Sequence, residues 1–141
     1  MFIFSDTAAP PRCPIDVVIV VDESGSIGTA NFDLVKSFLS QLVGLMDIDS
    51  NNTRVGLVTY ATNVGTSFNL DVYSSVASVQ SAISSLGYSG GDTYTNKALA
   101  YVRTTMLTSA AGDRIDVPNV VVVLTDGVST DQVATLVSGQ R

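Results

Sequence analysis

Two runs of consecutive apolar, largely β-branched residues dominate the pattern of the chain: Ile15-Asp16-Val17-Val18-Ile19-Val20-Val21 and Pro118-Asn119-Val120-Val121-Val122-Val123-Leu124. Neither alternates between apolar and polar positions, so each reads as a strand buried on both faces, as in a parallel sheet. Each runs into an acid, the first at Asp22 and the second at Thr125-Asp126-Gly127. Between them, Phe32, Val35, Phe38, Leu39, Leu42, Val43 and Met46 recur at helical spacing and predict a helix over roughly 30 to 47, with Thr29 as its cap. Residues 54–61 supply a second strand. Thr62-Asn63-Val64-Gly65 reads as a hairpin turn into a short antiparallel edge strand over 66–70.

Val76, Val79, Ile83 and Leu86 predict a Ser-rich amphipathic helix from Ser74 to Leu86 that ends at Gly87. Thr95 is placed to cap a third helix carrying Ala98, Leu99, Val102, Met106 and Leu107. Asp131 to Val137 reads as the start of a further helix. Residues 1–14, with Pro10, Pro11 and Pro14, suit a leader or linker, which leaves 15–141 as the domain. The order of elements predicts an α/β fold: a doubly wound, mostly parallel sheet with helices on both faces and one antiparallel edge strand. In the strand order 3-2-1-4 the Val120 strand is an apolar edge without a neighbour, so the domain is expected to be incomplete at its C-terminal side.

Composition narrows the chemistry. With 45% hydrophobic and 14% charged residues the chain can bury a core. Its net charge of −6 argues against nucleic-acid and anionic-membrane surfaces and is compatible with cations. There is no histidine and a single cysteine, Cys13, so zinc sites, Ser-His-Asp triads and Cys-His pairs are not expected. Any metal must therefore be held by oxygen. No apolar run approaches the ~20 residues of a membrane span. The sequon Asn51-Asn52-Thr53 is a candidate glycosylation site and, with Cys13 just ahead of the first strand, hints at an extracellular setting.

Three loops are expected at one end of the sheet: Asp22-x-Ser24-x-Ser26, Gly90-Gly91-Asp92-Thr93-Tyr94-Thr95 and Thr125-Asp126-Gly127. They offer two carboxylates and at least three hydroxyls, the hard-oxygen set that Mg²⁺ or Mn²⁺ prefers. Neutral hydroxyls leave such a metal electron-poor, so an outside carboxylate could complete it. Gly90-Gly91 lacks the Gly-Lys-Ser/Thr ending of a phosphate loop. Glu23 is expected to face solvent without a metal role. Asp92, Asp113, Asp116 and Asp131 read as solvated acids, while Tyr60 and Phe68 read as packing residues.

With Asp22-x-Ser24-x-Ser26, the stretch Thr93-Tyr94-Thr95-Asn96-Lys97-Ala98-Leu99 and Thr125-Asp126-Gly127 in this order, the chain resembles a von Willebrand factor type A domain, the module also found as the integrin I domain and in collagen VI. The resemblance covers the chain from about Ile15 onward. It implies a metal-ion-dependent adhesion site in which Ser24, Ser26 and Thr93 contact the cation (Mg²⁺, or Mn²⁺ or Ca²⁺) and Asp22 and Asp126 act largely through water. Thr95 would cap the following helix, although the roles of Thr93 and Thr95 could exchange. Asp92 and Tyr94, flanking Thr93, could help select a ligand. The resemblance also implies that Cys13 pairs with a cysteine beyond the last helix, and that a full domain continues through about two more strands.

The implied function is a non-enzymatic, secreted or ectodomain adhesion module whose metal bridges to an Asp or Glu of a protein ligand, collagen or another matrix protein among the candidates. An intracellular scaffold subunit using the same site is the alternative. A Mg²⁺-dependent hydrolase is disfavoured, because no second carboxylate follows Asp22 by two residues and no histidine base exists.

Overall fold

The computed structural model describes residues 13–127 and 129–131. The predicted helix beginning at Asp131 and most of the 1–14 segment lie outside them. The first apolar run forms β1 (Ile15–Asp22) and is followed by α1 (Thr29–Gly44), β2 (Thr53–Tyr60) and β3 (Val64–Phe68). Next come α2 (Val76–Ser84), α3 (Thr95–Tyr101) and β4 (Asn119–Leu124). The four strands make one sheet in the order β3-β2-β1-β4. β1 pairs in parallel with both β2 and β4, and β2 pairs antiparallel with β3. This is the mixed sheet expected from the hydrophobic pattern, with β1 central and β4 at an edge among the described residues.

Because successive side chains alternate across a sheet, β1 feeds two cores. Val17, Ile19 and Val21 pack with Phe32, Leu39 and Val43 of α1 and Val79 and Ile83 of α2. Val18 and Val20 pack on the opposite face with Val58, Tyr60, Ala98, Val102 and Met106. Tyr60 and Phe68 are buried, as expected of packing residues.

Several local expectations are corrected. α1 starts after Gly28, which occupies the N-cap without any side-chain cap bond, so Thr29 is not the cap. Phe38 is 51% exposed and lies off the face that packs on the sheet. The edge strand is Val64–Phe68, not 66–70, because a register irregularity between Val58 and Tyr60 brings Val64 opposite Tyr60. α2 is shorter than Ser74–Leu86 and begins at a capping box between Ser75 and Ser78. The third helix is regular only to Tyr101; Val102–Met106 continues as one π-helical turn, closed by the Leu107 amide donating to the Val102 carbonyl at 2.8 Å. Asp113 is half-buried, and its Oδ1 is shielded from solvent without a hydrogen-bond partner, unlike the exposed Asp92, Asp116 and Asp131.

The acid in the first apolar run has a structural partner. Asp16 is fully buried, and Arg114, in the connection between the π-helical turn and β4, reaches it with Nη2 at 2.6 Å and Nε at 2.8 Å, both to Oδ1. Gly112, two residues earlier, has φ +92° and lies against Asp71, where a β-carbon would meet the Asp71 backbone nitrogen at 2.8 Å. Its carbonyl accepts from Arg54 Nη1 at 2.9 Å. These contacts fix the end of the sheet opposite Asp22.

Candidate metal centre

β1 delivers Asp22 to the rim of the sheet, buried to 1% exposure, and the chain then turns immediately. The turn is held from within: Asp22 Oδ1 accepts from the Ser24 amide at 2.8 Å, and the Ile27 amide donates to the Ser24 carbonyl at 3.1 Å. β4, parallel to β1, delivers Thr125 and Asp126 beside it. Thr125 Oγ1 donates to Asp22 Oδ2 at 2.6 Å. Ser26 Oγ donates to Asp126 Oδ1 at 3.0 Å and lies 3.2 Å from Ser24 Oγ. Ser24, Ser26 and Asp126 thus form one run of side-chain oxygens, to which Asp22 is joined through the Ser24 amide; Asp22 and Ser24 are buried, and Ser26 and Asp126 are open to solvent.

Thr93 enters through its backbone. Its amide donates to Thr130 Oγ1 at 3.0 Å, and its carbonyl accepts from the Thr130 amide at 2.7 Å and from Ser129 Oγ at 3.3 Å. The second loop is therefore strapped to the segment that follows Asp126. It is also laced to the first loop: the Gly25 amide donates to the Gly91 carbonyl at 2.8 Å, and Tyr88 Oη donates to the Ser24 carbonyl at 3.0 Å. On the remaining side, the Asp92 amide donates to Thr62 Oγ1 and the Tyr94 amide to the Ala61 carbonyl, each at 3.0 Å. Asp92 is exposed, while Tyr94 is half-buried beneath the Lys97 ammonium, 4.5 Å from its ring centre.

Thr95 does not cap α3. The N-cap position is Tyr94, without a side-chain cap bond, and Thr95 is the first helical residue. Its buried hydroxyl instead pairs with Tyr60 Oη at 2.9 Å. Burial pushes the Tyr60 phenol above its ordinary value, opposed by hydrogen bonds with Thr95 and Thr125 and reinforced by the charges of Asp22 and Asp126.

Glu23 is the second correction at this site. It is 5% exposed, not solvated, and its Oε1 accepts from Ser89 Oγ at 3.0 Å. Burial, more than any other cause, pushes its carboxyl above the usual carboxylate range; hydrogen bonds from Ser89 and Thr59 oppose the shift and the charge of Asp22 adds to it. In the sequence Tyr60 reads only as a packing residue and Thr62 only as a turn residue, and Tyr88 and Ser89 carry no site role. Their only signal there is proximity to the quoted motifs, since their partners at the site lie 30 to 66 positions away.

The donor set suits a small hard cation. Oxygens bound at about 2.0–2.1 Å in an octahedron stand roughly 2.8–3.0 Å from their neighbours. The Ser24–Ser26 hydroxyl spacing of 3.2 Å lies a little above that edge length, and Ser26 Oγ is hydrogen-bonded to Asp126 Oδ1 at 3.0 Å. Among the described residues the ion pairs are Asp33 with Lys36 and Asp16 with Arg114, so no Lys or Arg neutralises Asp22 or Asp126. No group of three or more His, Cys, Asp or Glu side chains converges among the described residues. A cation here would depend on hydroxyls as much as on charge.

The family model for the von Willebrand factor type A domain matches residues 16–140. The chain belongs to that family. The domain is 43% identical over 129 residues to the collagen alpha-4(VI) chain of Mus musculus, covering 87% of this chain and 6% of that protein. It is 44% identical over 126 residues to integrin alpha-2 of Bos taurus, covering 87% of this chain and 11% of the integrin. The domain thus spans a small part of these relatives' own length. Among solved structures, proximal thread matrix protein 1 from the mussel byssus, described with a zinc occupied MIDAS motif, superposes with a TM-score of 0.73 at 30% identity, covering 83% of this chain and 30% of that one.

Proposed function

We infer that the domain spanning 15–141 is a divalent-cation-dependent protein-binding module that acts outside the cell. The cation would be held by Ser24, Ser26 and Thr93, with Asp22 and Asp126 bound through water, and when present it supplies a Lewis-acidic position for an Asp or Glu of a protein ligand. The observation that carries the reading is the run of Ser24, Ser26 and Asp126 oxygens spaced at 3.2 and 3.0 Å beside Asp22, with no Lys or Arg ion-paired to either carboxylate among the described residues. Thr125 orients Asp22 by donating to Oδ2, and the Ser24 amide takes Oδ1, so both carboxylate oxygens are directed before any cation arrives. Mg²⁺ is the proposed ion, with Mn²⁺ and Ca²⁺ as the other oxygen-seeking ions that this hard donor set suits.

A binding role without catalysis is supported by the absence of histidine from the whole chain and by the family's matrix and integrin members. Collagen or another matrix protein is the proposed partner class. Asp92, exposed beside Thr93, and Tyr94 are proposed to contact the ligand's flanks. No described helix is long and apolar enough to cross a membrane. An extracellular setting agrees with exposed Asn51, the proposed glycosylation site, and with exposed Cys13, proposed to pair with a cysteine elsewhere in the full protein.

The reading is tested by measuring binding to immobilised collagen and to a glutamate-bearing peptide in Mg²⁺ and again in EDTA. Binding in Mg²⁺ that EDTA and Asp22→Ala both abolish is expected. Equal affinity in the two buffers, or retained binding by Asp22→Ala, contradicts it.

A further inference from the structure

Glu23 lies in sequence between two residues of the proposed cation site, yet its carboxylate is directed elsewhere. Its Oε1 accepts from Ser89 Oγ at 3.0 Å and approaches the backbone of β3 at Gly65. A β-carbon on Gly65 would stand 2.6 Å from Glu23 Oε1 and 2.5 Å from Thr59 Oγ1, so the bare backbone of β3 makes room for this side chain. The main chain of Glu23 is tied as well. Its amide donates to the Tyr60 carbonyl at 2.8 Å, and its carbonyl accepts from the Gly90 amide at 3.0 Å.

One residue therefore binds the end of β2 and, through both its carbonyl and its carboxylate, two consecutive residues of the second loop. Ser89 and Gly90 precede Thr93 by four and three positions. The neighbouring ties, Gly25 to Gly91 and Tyr88 to Ser24, are made by groups that any residue at position 23 would leave in place. Only the bonds from Ser89 and Thr59, and the filling of the space beside Gly65, need this side chain, and of these only the Ser89 bond reaches the second loop. A buried carboxylate is costly unless it is hydrogen-bonded, and bonds to it are stronger than neutral ones.

We propose that Glu23 is a positioning residue: its carboxylate fixes the 88–93 loop against the Asp22–Ser26 loop and so sets where Thr93 stands relative to Ser24 and Ser26. The proposal rests on the cation reading for its effect on affinity and on geometry alone for its effect on the loop. Glu23 itself does not touch the cation. Glutamine keeps an acceptor oxygen of the same reach and alanine removes it, so the two substitutions separate positioning from charge.

The test compares the native chain with Glu23→Ala, Glu23→Gln, Ser89→Ala and the Glu23→Ala/Ser89→Ala pair in two measurements. In the absence of metal, amide hydrogen exchange over 88–94 is expected to quicken in Glu23→Ala and Ser89→Ala and to stay near native in Glu23→Gln, while exchange in β1 is unchanged. In Mn²⁺ titrations, Glu23→Ala is expected to lose roughly ten-fold in affinity, the low end for a residue acting behind a ligand, with Glu23→Gln recovering most of it and the pair losing no more than Glu23→Ala. Native exchange over 88–94 in Glu23→Ala overturns the proposal, as does loss of protection spread equally through β1, which marks a residue of general stability. Glu23→Gln as weak for Mn²⁺ as Glu23→Ala also overturns it, since the charge would then be what counts. If the native chain takes up no Mn²⁺, the cation reading fails while the exchange measurement still decides whether Glu23 fixes the loop.

Discussion

Replacing Arg114 by alanine is expected to destabilise the folded chain by about 3–5 kcal/mol, the range for breaking a buried ion pair from one side. Asp16 has no exposure to solvent, and Arg114 supplies three of the contacts to its carboxylate: Nε and Nη2 to Oδ1, and its own amide to Oδ2 at 2.9 Å. The guanidinium also donates to the carbonyls of Ile15, Asn51 and Asn52 at 3.1, 2.8 and 3.1 Å. Alanine leaves only the backbone amide and strands a buried charge. Lysine recovers little, because one ammonium cannot reproduce the planar fork. Urea unfolding should show a lower midpoint with an unchanged slope. The pair lies at the start of β1, about 20 Å of strand from Asp22, so the folded fraction should keep native cation affinity. A loss below ~1 kcal/mol, the value of an ordinary surface pair, would contradict this assignment.

Asp126→Ala is expected to have the opposite profile. Asp126 is exposed, and a surface substitution of this kind should change stability by no more than about 0.5 kcal/mol. Its Oδ1 nevertheless accepts from Ser26 Oγ and closes the run of oxygens that begins at Ser24. Removing it takes away one of two carboxylates in a set that has no basic partner among the described residues. Mn²⁺ affinity measured by isothermal titration should fall by at least the roughly 10–100-fold that loss of an outer-shell partner produces. Ser26→Ala, which breaks the same run at its middle, should fall comparably. Native affinity in both variants would place the cation elsewhere.

Hydrophobic pattern carried most of the architecture. The unbroken runs at Val17–Val21 and Val120–Leu124 both form strands, and the acids at their ends fall together because parallel neighbours end on the same side; only the first is buried on both faces, since β4 is an edge among the described residues and leaves Val120, Val121 and Val123 exposed. What the pattern could not carry was the partner of each polar residue. Asp16 stood inside an apolar run with no local sign of Arg114, which lies 98 positions away. Glu23 read as solvated because charged residues in turns usually are, and only the approach of β3 and the 88–91 loop buries it. Thr29 and Thr95 are good cap residues by type, but the side chain that caps must precede the first helical residue, and both threonines sit one position inside. Helix spacing placed Phe38 with the core, yet the stripe that α1 buries is centred on Phe32, Leu39 and Val43. For the site itself, Asp22, Ser24, Ser26 and Asp126 are legible from their motifs; Ser24, Ser26 and Asp126 meet through side-chain oxygens, and Asp22 joins them through the Ser24 amide. Thr93 is bonded through its backbone to Ser129 and Thr130, just beyond Asp126, by contacts that no motif encodes.

The central claim is that three loops build one cation site. Mn²⁺ binding followed by electron paramagnetic resonance, for the native chain and for Asp22→Ala, tests it most directly. The account predicts that the native chain takes up a single Mn²⁺ per molecule, that Mg²⁺ displaces it, and that Asp22→Ala takes up none. No uptake by the native chain, or equal uptake by Asp22→Ala, would contradict it.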